Sequence, residues 1–420
     1  MFSIFLWPKL ISQVEREAKW KLGEPDFAKG VAVIAIVIFH CYEGLFGWPG
    51  HDLFAYLEGG LISHYQFSLS SLATISSGLL KLTALGYQGV SVFVVMAGFL
   101  ALWTTRNMKF EVYRYYGRRF CRLYPLYWIA LSLVIIFRIL EFRMNPFAYE
   151  EGEIVMRGGM RILGMYIGFY PMDTYSWILN PSLWFMTMII QLFMFFPLLR
   201  GLLLRVKDVK FLILMGIFSF VFLYIFRFTS PLAGQFAGCW LFEFSFGMVM
   251  ANNLSGFDKM LSGIKIMPLL FLAYLLGFFL GSYSDTWPIG RPLYGIALAM
   301  LLWSIYNNAE KVRIFKALSR VFVLIGVNSY ALYLINQPLV HTYFDLVSSH
   351  AVSFTHPIFG SEYNLTVLPI ERYLLIMLSF LILVVFLSYV LTRVDNCLQK
   401  KLHLRNEVPG KLLNDSITLK

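Results

Sequence analysis

Long apolar windows recur along almost the whole chain and constrain its fold more than any other feature. Stretches of roughly 17 to 25 apolar residues are long enough to cross a bilayer as helices. The composition agrees, since 58% of the 420 residues are hydrophobic and 14% are charged, against about 25% charged in soluble domains. The windows cover residues 28–46, 88–105, 123–141, 182–199, 211–227, 234–251, 266–282, 291–307, 321–340 and 373–392. The sequence therefore predicts an all-α integral membrane protein.

The basic residues indicate how many of these windows cross the membrane. Lys and Arg accumulate in cytoplasmic loops, and ten spans with both termini in the cytoplasm would place 27 of the 35 basic residues on that side. An eleventh window, 158–171, is short, and its crossing would move the basic segments 200–210 and 307–320 outside. We therefore expect about ten transmembrane helices around a polar cavity, with cytoplasmic N- and C-termini.

The rest of the chain adds no further domain in this interpretation. We expect a cytoplasmic segment at 1–26, a membrane domain at 27–395 and a cytoplasmic tail at 396–420. The net charge of +11 fits the cytoplasmic loops, so no nucleic-acid partner is predicted. The four cysteines are scattered, and the histidines at 51, 64, 341, 350 and 356 lack ligand spacing. We predict no metal site and no bound cofactor.

The first window carries two ionisable residues on one helix face. Lys29 and His40 are eleven residues apart, which is three helical turns plus about 20° and roughly 16 Å along the axis. An ionisable side chain inside a membrane span faces a protein interior or a wet cavity. A polar path from the membrane surface to His40 is therefore predicted. A histidine that only hydrogen-bonds between helices is the structural alternative.

A second basic feature precedes the third window. Arg119 and Arg122 are three residues apart and share a helix face. The planar arginine fork suits phosphate groups because it donates two hydrogen bonds at once. A positive anchor at the membrane surface is the alternative, although Arg122 lies deeper than an anchor requires.

Five motifs in one order resemble the acyltransferase-3 family of multispanning membrane acyltransferases, over roughly residues 25 to 395. They are Lys29-x10-His40, the Gly-Val-x-x-Phe-x-x-x-x-Gly-Phe-Leu run at 89–100, Arg-x-x-Arg-x-x-Pro-x-Tyr at 119–127, Leu183-Trp184-Phe185 with Pro197, and Ser329-Tyr330-Ala331-Leu332-Tyr333-Leu334.

The resemblance implies an enzyme that transfers an acyl group, most often acetyl, from cytoplasmic acyl-CoA. The implied acceptor is a hydroxyl of an extracytoplasmic glycan or glycolipid at a bacterial plasma membrane. Acetyl-CoA would be a co-substrate rather than a bound cofactor. The family's functional positions correspond to His40 as catalytic residue and to Lys29, Arg119 and Arg122 as the acyl-CoA-binding residues.

Two positions depart from the family pattern. Ile189 stands where many members have a glutamate, and Asn336 stands where many have a histidine. Asn336 can hydrogen-bond a sugar on the acceptor side, but it cannot act as a base. The partner that orients His40 is not assigned, with Glu43 and Glu243 as candidates.

Other functions remain open on the sequence. A glycolipid transporter or flippase would show similar spans, although transporters usually contain internal repeats, and none is visible. A non-catalytic family member is a further alternative, suggested by Asn336. Within the enzyme, direct transfer and an acyl-His40 intermediate are both compatible with the residues.

Overall fold

The fold is described by a computed structural model, which covers residues 23–46, 83–106, 109–141, 180–226, 235–283, 286–309, 312–347 and 370–401. Every regular element in these ranges is helical, which confirms the predicted all-α class. The predicted outer loops, the window 158–171 and the histidines at 51, 64, 350 and 356 lie mostly or wholly outside the described ranges.

Twelve α-helices are numbered here in chain order within those ranges. They are α1 (Gly23–Phe46), α2 (Gly89–Trp103), α3 (Val112–Glu141), α4 (Trp184–Leu203), α5 (Asp208–Phe226), α6 (Leu241–Asn252), α7 (Leu254–Leu261), α8 (Met267–Gly281), α9 (Trp287–Ala309), α10 (Arg313–Val327), α11 (Ser329–Val347) and α12 (Ile370–Lys401). Short 3₁₀ turns at Ala84–Gln88, Pro181–Leu183 and Ala237–Trp240 lead into α2, α4 and α6.

Eight of the described segments are long and apolar enough to cross a bilayer. They are Gly23–Glu43, Leu85–Trp103, Val112–Ile136, Pro181–Leu203, Asp208–Ile225, Ile264–Gly281, Trp287–Ala309 and Leu374–Lys400. A ninth span would consist of α10 and α11 together, which are bent by 75° relative to each other. The protein is thus a multi-pass membrane protein, whereas the count of ten and the cytoplasmic termini stay predictions.

The predicted window 234–251 differs in shape from the other windows. In the described residues it forms a 3₁₀ turn followed by α6, which is only twelve residues long. At about 1.5 Å per residue, that helix is too short to cross the hydrocarbon core by itself. Eight of its twelve residues are buried among other helices, which explains why the segment is apolar although it is short.

Burial divides the bundle into interior and peripheral helices. In both α1 and α2, 67% of the residues in the apolar window are buried, against 22% in α5 and 17% in the segment that contains α8. The outer faces of α5 and α8 expose large apolar side chains such as Ile217 and Leu272. Such faces suit contact with lipid. The ionisable residues of α1 are therefore held inside the protein.

Glycines let the interior helices approach closely. Gly30 of α1 and Gly326 of α10 lie against each other's backbone, and Gly98 of α2 lies against Phe244 of α6. A Cβ at any of these glycines would overlap backbone atoms of the neighbouring helix. Small residues commonly allow close packing of membrane helices. Gly98 belongs to the motif at 89–100, so this motif contributes to the close packing of α2 on α6.

The helix ends define two ends of the bundle. Phe39 near the end of α1 contacts Tyr87 before α2, and Tyr87 contacts Tyr294 near the start of α9. We call this the histidine end, because His40 lies there. At the opposite end, Phe27 of α1 contacts Tyr306 late in α9, and Arg200 late in α4 contacts Phe110 before α3. We call that the arginine end.

Candidate active site

His40 is bound to a side chain from a helix 296 residues away in sequence. Its Nδ1 lies 2.5 Å from Oδ1 of Asn336 on α11. Asn336 is completely buried, while His40 keeps 9% of its surface accessible. The structural alternative for His40, a hydrogen bond between helices, is therefore present. It does not exclude catalysis, because catalytic histidines are commonly oriented through one ring nitrogen.

The amide of Asn336 determines which nitrogen of His40 carries the proton. Nδ2 of Asn336 donates to the carbonyls of Leu332 at 3.0 Å and Tyr333 at 2.8 Å. The amide oxygen therefore faces His40, and an oxygen can only accept. Nδ1 of His40 must be the donor in this hydrogen bond. In the neutral ring this leaves the basic lone pair on Nε2.

A second hydrogen-bonded string lies beside this pair at the histidine end. Gln337 donates from Nε2 to Oε2 of Glu43 at 3.3 Å and accepts at Oε1 from the Ser182 hydroxyl at 2.5 Å. Asn180 donates to the carbonyl of Leu334 at 3.0 Å and accepts from the Ser182 amide. The string ties the start of α4 to α11. It places α11, and with it Asn336, against α1.

The two carboxylates considered for orienting His40 have other partners. Glu43 interacts with Gln337, and Glu243 forms an ion pair with Arg291 at 2.9 Å. The partner at Nδ1 is the amide of Asn336 instead. A single sequence could not reveal this partner, because nothing in it relates position 40 to position 336.

Lys29 is placed at the arginine end of α1, and it has an acidic partner. Its ammonium group lies 2.7 Å from the carboxylate of Asp26, and each side chain is 13% exposed. Between Lys29 and His40 the same face carries Val33 and Val37, which are completely buried. The predicted polar path to His40 therefore does not follow this face of α1 in the structure.

Arg119 and Arg122 differ in their surroundings despite their shared spacing. The guanidinium of Arg119 lies 4.5 Å from the ring centre of Phe193 and 5.4 Å from that of Tyr115. Arg122 is exposed. Aromatic rings thus hold Arg119 at the arginine end, in a partly buried position.

Tyrosines at the α3–α11 interface connect the two ends. The Tyr330 hydroxyl donates to the carbonyl of Leu123 at 3.0 Å, and the charge of Arg122 acts on Tyr330. Tyr127 contacts Tyr124, with ring centres 6.0 Å apart, and interacts electrostatically with Tyr330 and Tyr333. We call these four tyrosines, at 124, 127, 330 and 333, the tyrosine cluster. The carbonyl of Tyr333 accepts from Asn336, so the cluster reaches the partner of His40.

Sequence reasoning missed the tyrosine cluster, although a signal was present. The tyrosines occur at positions i and i+3 in both α3 and α11, which places each pair on one helix face. What the sequence did not contain was the pairing of those two helices. From Tyr330 to Asn336 the distance along α11 is about 9 Å. One helix therefore carries both the tyrosine next to Arg122 and the hydrogen-bond partner of His40.

Comparison with known proteins identifies the family. The acyltransferase-3 family model, described as an acyltransferase domain, matches residues 22–393. The chain therefore belongs to this family, which confirms the resemblance seen in its motifs. It is a multi-pass membrane enzyme that transfers acyl groups other than aminoacyl groups.

Two curated relatives carry names of the same kind. The chain is similar to Acyltransferase MdmB of Streptomyces mycarofaciens, at 38% identity over 69 residues, 16% of this chain and 18% of that protein. It is also similar to the Putative acetyltransferase ORF330 of Acidianus two-tailed virus, at 23% identity over 258 residues, 59% of this chain and 71% of that protein. No solved structure matches the chain.

Proposed function

We propose that this protein moves an acetyl group from cytoplasmic acetyl-CoA to a sugar hydroxyl of an extracytoplasmic glycan or glycolipid, in a bacterial plasma membrane. The observation that carries this proposal is the His40–Asn336 pair, which leaves Nε2 of His40 as the base. The tyrosine cluster supports it because its side chains lie along the α3–α11 interface, between the arginine end and Asn336, the partner of that base. The family and the acetyltransferase name of one relative agree with the choice of acetyl.

The donor would bind at the arginine end. Arg119 and Arg122 would hold the phosphates of acetyl-CoA, because guanidinium groups bind phosphate through paired donors. Lys29 would assist once its ammonium group is shared between Asp26 and the ligand. The pantetheine arm would then follow the tyrosine cluster along the α3–α11 interface, where hydroxyl groups can bind its amides. This route replaces a path along α1, whose intermediate residues are buried and apolar.

The chemistry would take place at Nε2 of His40. This nitrogen accepts the proton of the sugar hydroxyl while the hydroxyl oxygen attacks the thioester carbonyl. The C–S bond then breaks, the acetyl group stays on the sugar oxygen as an ester, and the thiolate of CoA takes the proton back from His40. In direct transfer, the sugar hydroxyl and the thioester lie beside His40 at the same time. With an acyl-His40 intermediate, Nε2 would instead act as the nucleophile.

Asn336 would serve as a positioning residue in this scheme. Its oxygen holds the ring through Nδ1–H and stabilises the imidazolium that forms when Nε2 accepts a proton. The amide therefore takes the place of the carboxylate that often accepts the Nδ1–H of a catalytic histidine. The sugar-binding role predicted for Asn336 is less well supported, because its amide is buried and already bound to His40 and α11.

The test is transfer of label from radiolabelled acetyl-CoA into envelope glycans of cells that produce the protein. Wild type, His40→Ala and Arg119→Ala would be compared at matched membrane abundance. Arg114→Ala is the matched control, because Arg114 lies on the same helix but is exposed and paired with Glu111 at 3.0 Å. We expect label with wild type and Arg114→Ala and a large loss with the other two variants.

Two outcomes would contradict the proposal. Label that persists with His40→Ala would leave His40 a packing residue and remove the proposed base. Absence of label with wild type, together with movement of the glycolipid across the membrane, would favour the transporter alternative.

A further inference from the structure

A second buried polar pair lies at the histidine end, between α6 and α9. Nη2 of Arg291 lies 2.9 Å from Oε1 of Glu243 and also donates to the carbonyl of Cys239. The Arg291 side chain is 3% exposed and that of Glu243 is completely buried. The mechanism proposed above uses neither residue. An ion pair inside a membrane protein commonly marks a functional site.

The pair leaves polar atoms without partners. Nε and Nη1 of Arg291 and Oε2 of Glu243 are buried and form no hydrogen bond in the structure. A buried donor or acceptor without a partner is costly, and most such atoms in proteins are satisfied. The two groups therefore offer two donors and one acceptor to a ligand that enters between α6 and α9.

Tryptophans surround these unpartnered atoms. The Arg291 guanidinium lies 3.8 Å from the ring centre of Trp240 and 5.3 Å from that of Trp287. Trp184, at the start of α4, contacts Trp240 with ring centres 6.2 Å apart. Trp184 and Trp287 are only partly buried, so this cluster reaches accessible surface. We call Arg291, Glu243 and the three tryptophans the tryptophan site.

The tryptophan site lies beside the candidate active site but is separate from it. Trp184 is followed by Phe185, whose ring centre is 5.0 Å from that of Tyr333. On the other side, Tyr294, one turn after Arg291, contacts Tyr87, which contacts Phe39 beside His40. Packed aromatic rings thus connect Tyr294 to His40. Others connect Trp184 to Tyr333, whose carbonyl accepts from the amide of Asn336. A ligand in the tryptophan site would present its next unit towards the reacting centre.

We infer that the tryptophan site binds an uncharged sugar unit of the acceptor, next to the unit that receives the acetyl group. Each sugar hydroxyl both donates and accepts, so a pair of neighbouring hydroxyls matches the free donors of Arg291 and the free acceptor of Glu243. The apolar C–H face of a pyranose ring packs on tryptophan. This inference rests on the proposed transfer to a sugar hydroxyl and adds the subsite that positions the acceptor.

The charges favour a neutral ligand over an anion. Glu243 compensates Arg291 at 2.9 Å, so the pair has no net charge to attract a phosphate or carboxylate. The free oxygen of Glu243 would repel an anion at the same place. Binding energy from a sugar unit that does not react can hold the reacting hydroxyl in position.

The test uses purified full-length protein, radiolabelled acetyl-CoA and glycolipid extracted from the producing cells. Arg291→Lys keeps the charge but loses the planar fork, and Glu243→Gln keeps a partner for Arg291. Both are expected to raise the KM for the glycolipid roughly 10- to 100-fold, as expected when hydrogen bonds to a charged group are lost. The KM for acetyl-CoA should not change.

The matched control is Arg106→Lys. Arg106 also stacks on a tryptophan, with its guanidinium 3.3 Å from the ring centre of Trp103, but it is exposed. This variant should leave both KM values unchanged. Saturable binding of radiolabelled glycolipid, measured without acetyl-CoA, provides a readout independent of activity and should weaken in Arg291→Lys and Glu243→Gln only.

Each other outcome has a defined meaning. Unchanged glycolipid KM and binding in both variants would overturn the subsite while leaving the proposed transfer intact. A joint fall in kcat, donor affinity and thermal stability would make the pair a structural contact and also overturn it. Displacement of the glycolipid by inorganic phosphate, dependent on Arg291, would overturn the neutral-sugar assignment. If wild type binds the glycolipid without acetylating it, the proposed transfer fails. The subsite is then tested only by the glycolipid affinities of the two variants.

Discussion

The two buried polar pairs at the histidine end differ in how completely their hydrogen bonds are satisfied. In the His40–Asn336 pair, the amide of Asn336 is bound on both sides, by His40 and by the carbonyls of α11. In the Arg291–Glu243 pair, three polar atoms have no partner. A satisfied pair holds a side chain in one orientation, whereas an unsatisfied pair retains capacity for a ligand.

This difference separates two tasks that both depend on buried polar groups. A base must have a defined tautomer before the substrate arrives, and the closed hydrogen bonds of Asn336 provide this. A binding subsite must exchange its hydrogen bonds with a ligand, and the open atoms of Arg291 and Glu243 allow this. Four predictions can break or sharpen the comparison.

The largest effect is expected from His40→Gln. Glutamine can still hydrogen-bond Asn336, but it cannot accept a proton at neutral pH, so transfer should fall by about 10²- to 10⁴-fold. The KM for both substrates and the thermal stability should stay close to wild type. Steady-state kinetics with labelled acetyl-CoA checks this, and a variant that retains most of its kcat would show that the pair is structural.

The next effect concerns stability at the other pair. Glu243→Leu leaves the Arg291 charge buried and uncompensated, which should lower the free energy of unfolding by about 3–5 kcal/mol. The double variant Glu243→Leu with Arg291→Met removes both charges and should regain most of that stability. Thermal unfolding in detergent measures both.

The double variant also separates ligand binding from structure. If the pair serves a ligand, this variant should be stable yet bind the glycolipid poorly. A stable double variant with normal glycolipid affinity would remove the distinction between the two pairs.

A variant at the arginine end should affect neither pair. Arg119→Lys keeps a positive charge but loses the planar donors that suit phosphate, so the KM for acetyl-CoA should rise roughly tenfold. The KM for the glycolipid should stay unchanged. Titration with acetyl-CoA, with Arg114→Lys as control, tests this; an equal rise in both KM values would argue for a general packing defect.

An effect of similar size to that of Arg119→Lys, but on kcat, is expected at Asn336. Asn336→Leu removes the acceptor for Nδ1–H of His40, which should lower kcat roughly tenfold without changing the KM for acetyl-CoA. Asn336→Asp keeps an oxygen at that place and should retain more activity than Asn336→Leu. Equal loss in the two variants would mean that Asn336 fills space rather than orients the histidine.

The sequence alone determined the class of fold, the family and the candidate reacting residues. Apolar windows repeat at the length of a bilayer, and this signal is local, so eight windows could be located without any knowledge of packing. The motif that contains His40 is local as well. The window 234–251 was predicted as a span, whereas the structure describes there a helix of only twelve residues, α6. The sequence does not separate the two, because a buried helix in a membrane protein is as apolar as a crossing one.

Only the tertiary structure decided which side chains meet. The partner of His40 lies 296 residues away and that of Glu243 lies 48 residues away, and neither distance leaves a periodic trace in the chain. The same holds for the tyrosine cluster, whose two halves belong to α3 and α11. Helix pairing depends on the shapes of whole faces, such as the close contact at Gly30 and Gly326. That information resides in the packed bundle, which is why the orientation of His40 and the open atoms of Arg291 could be found only there.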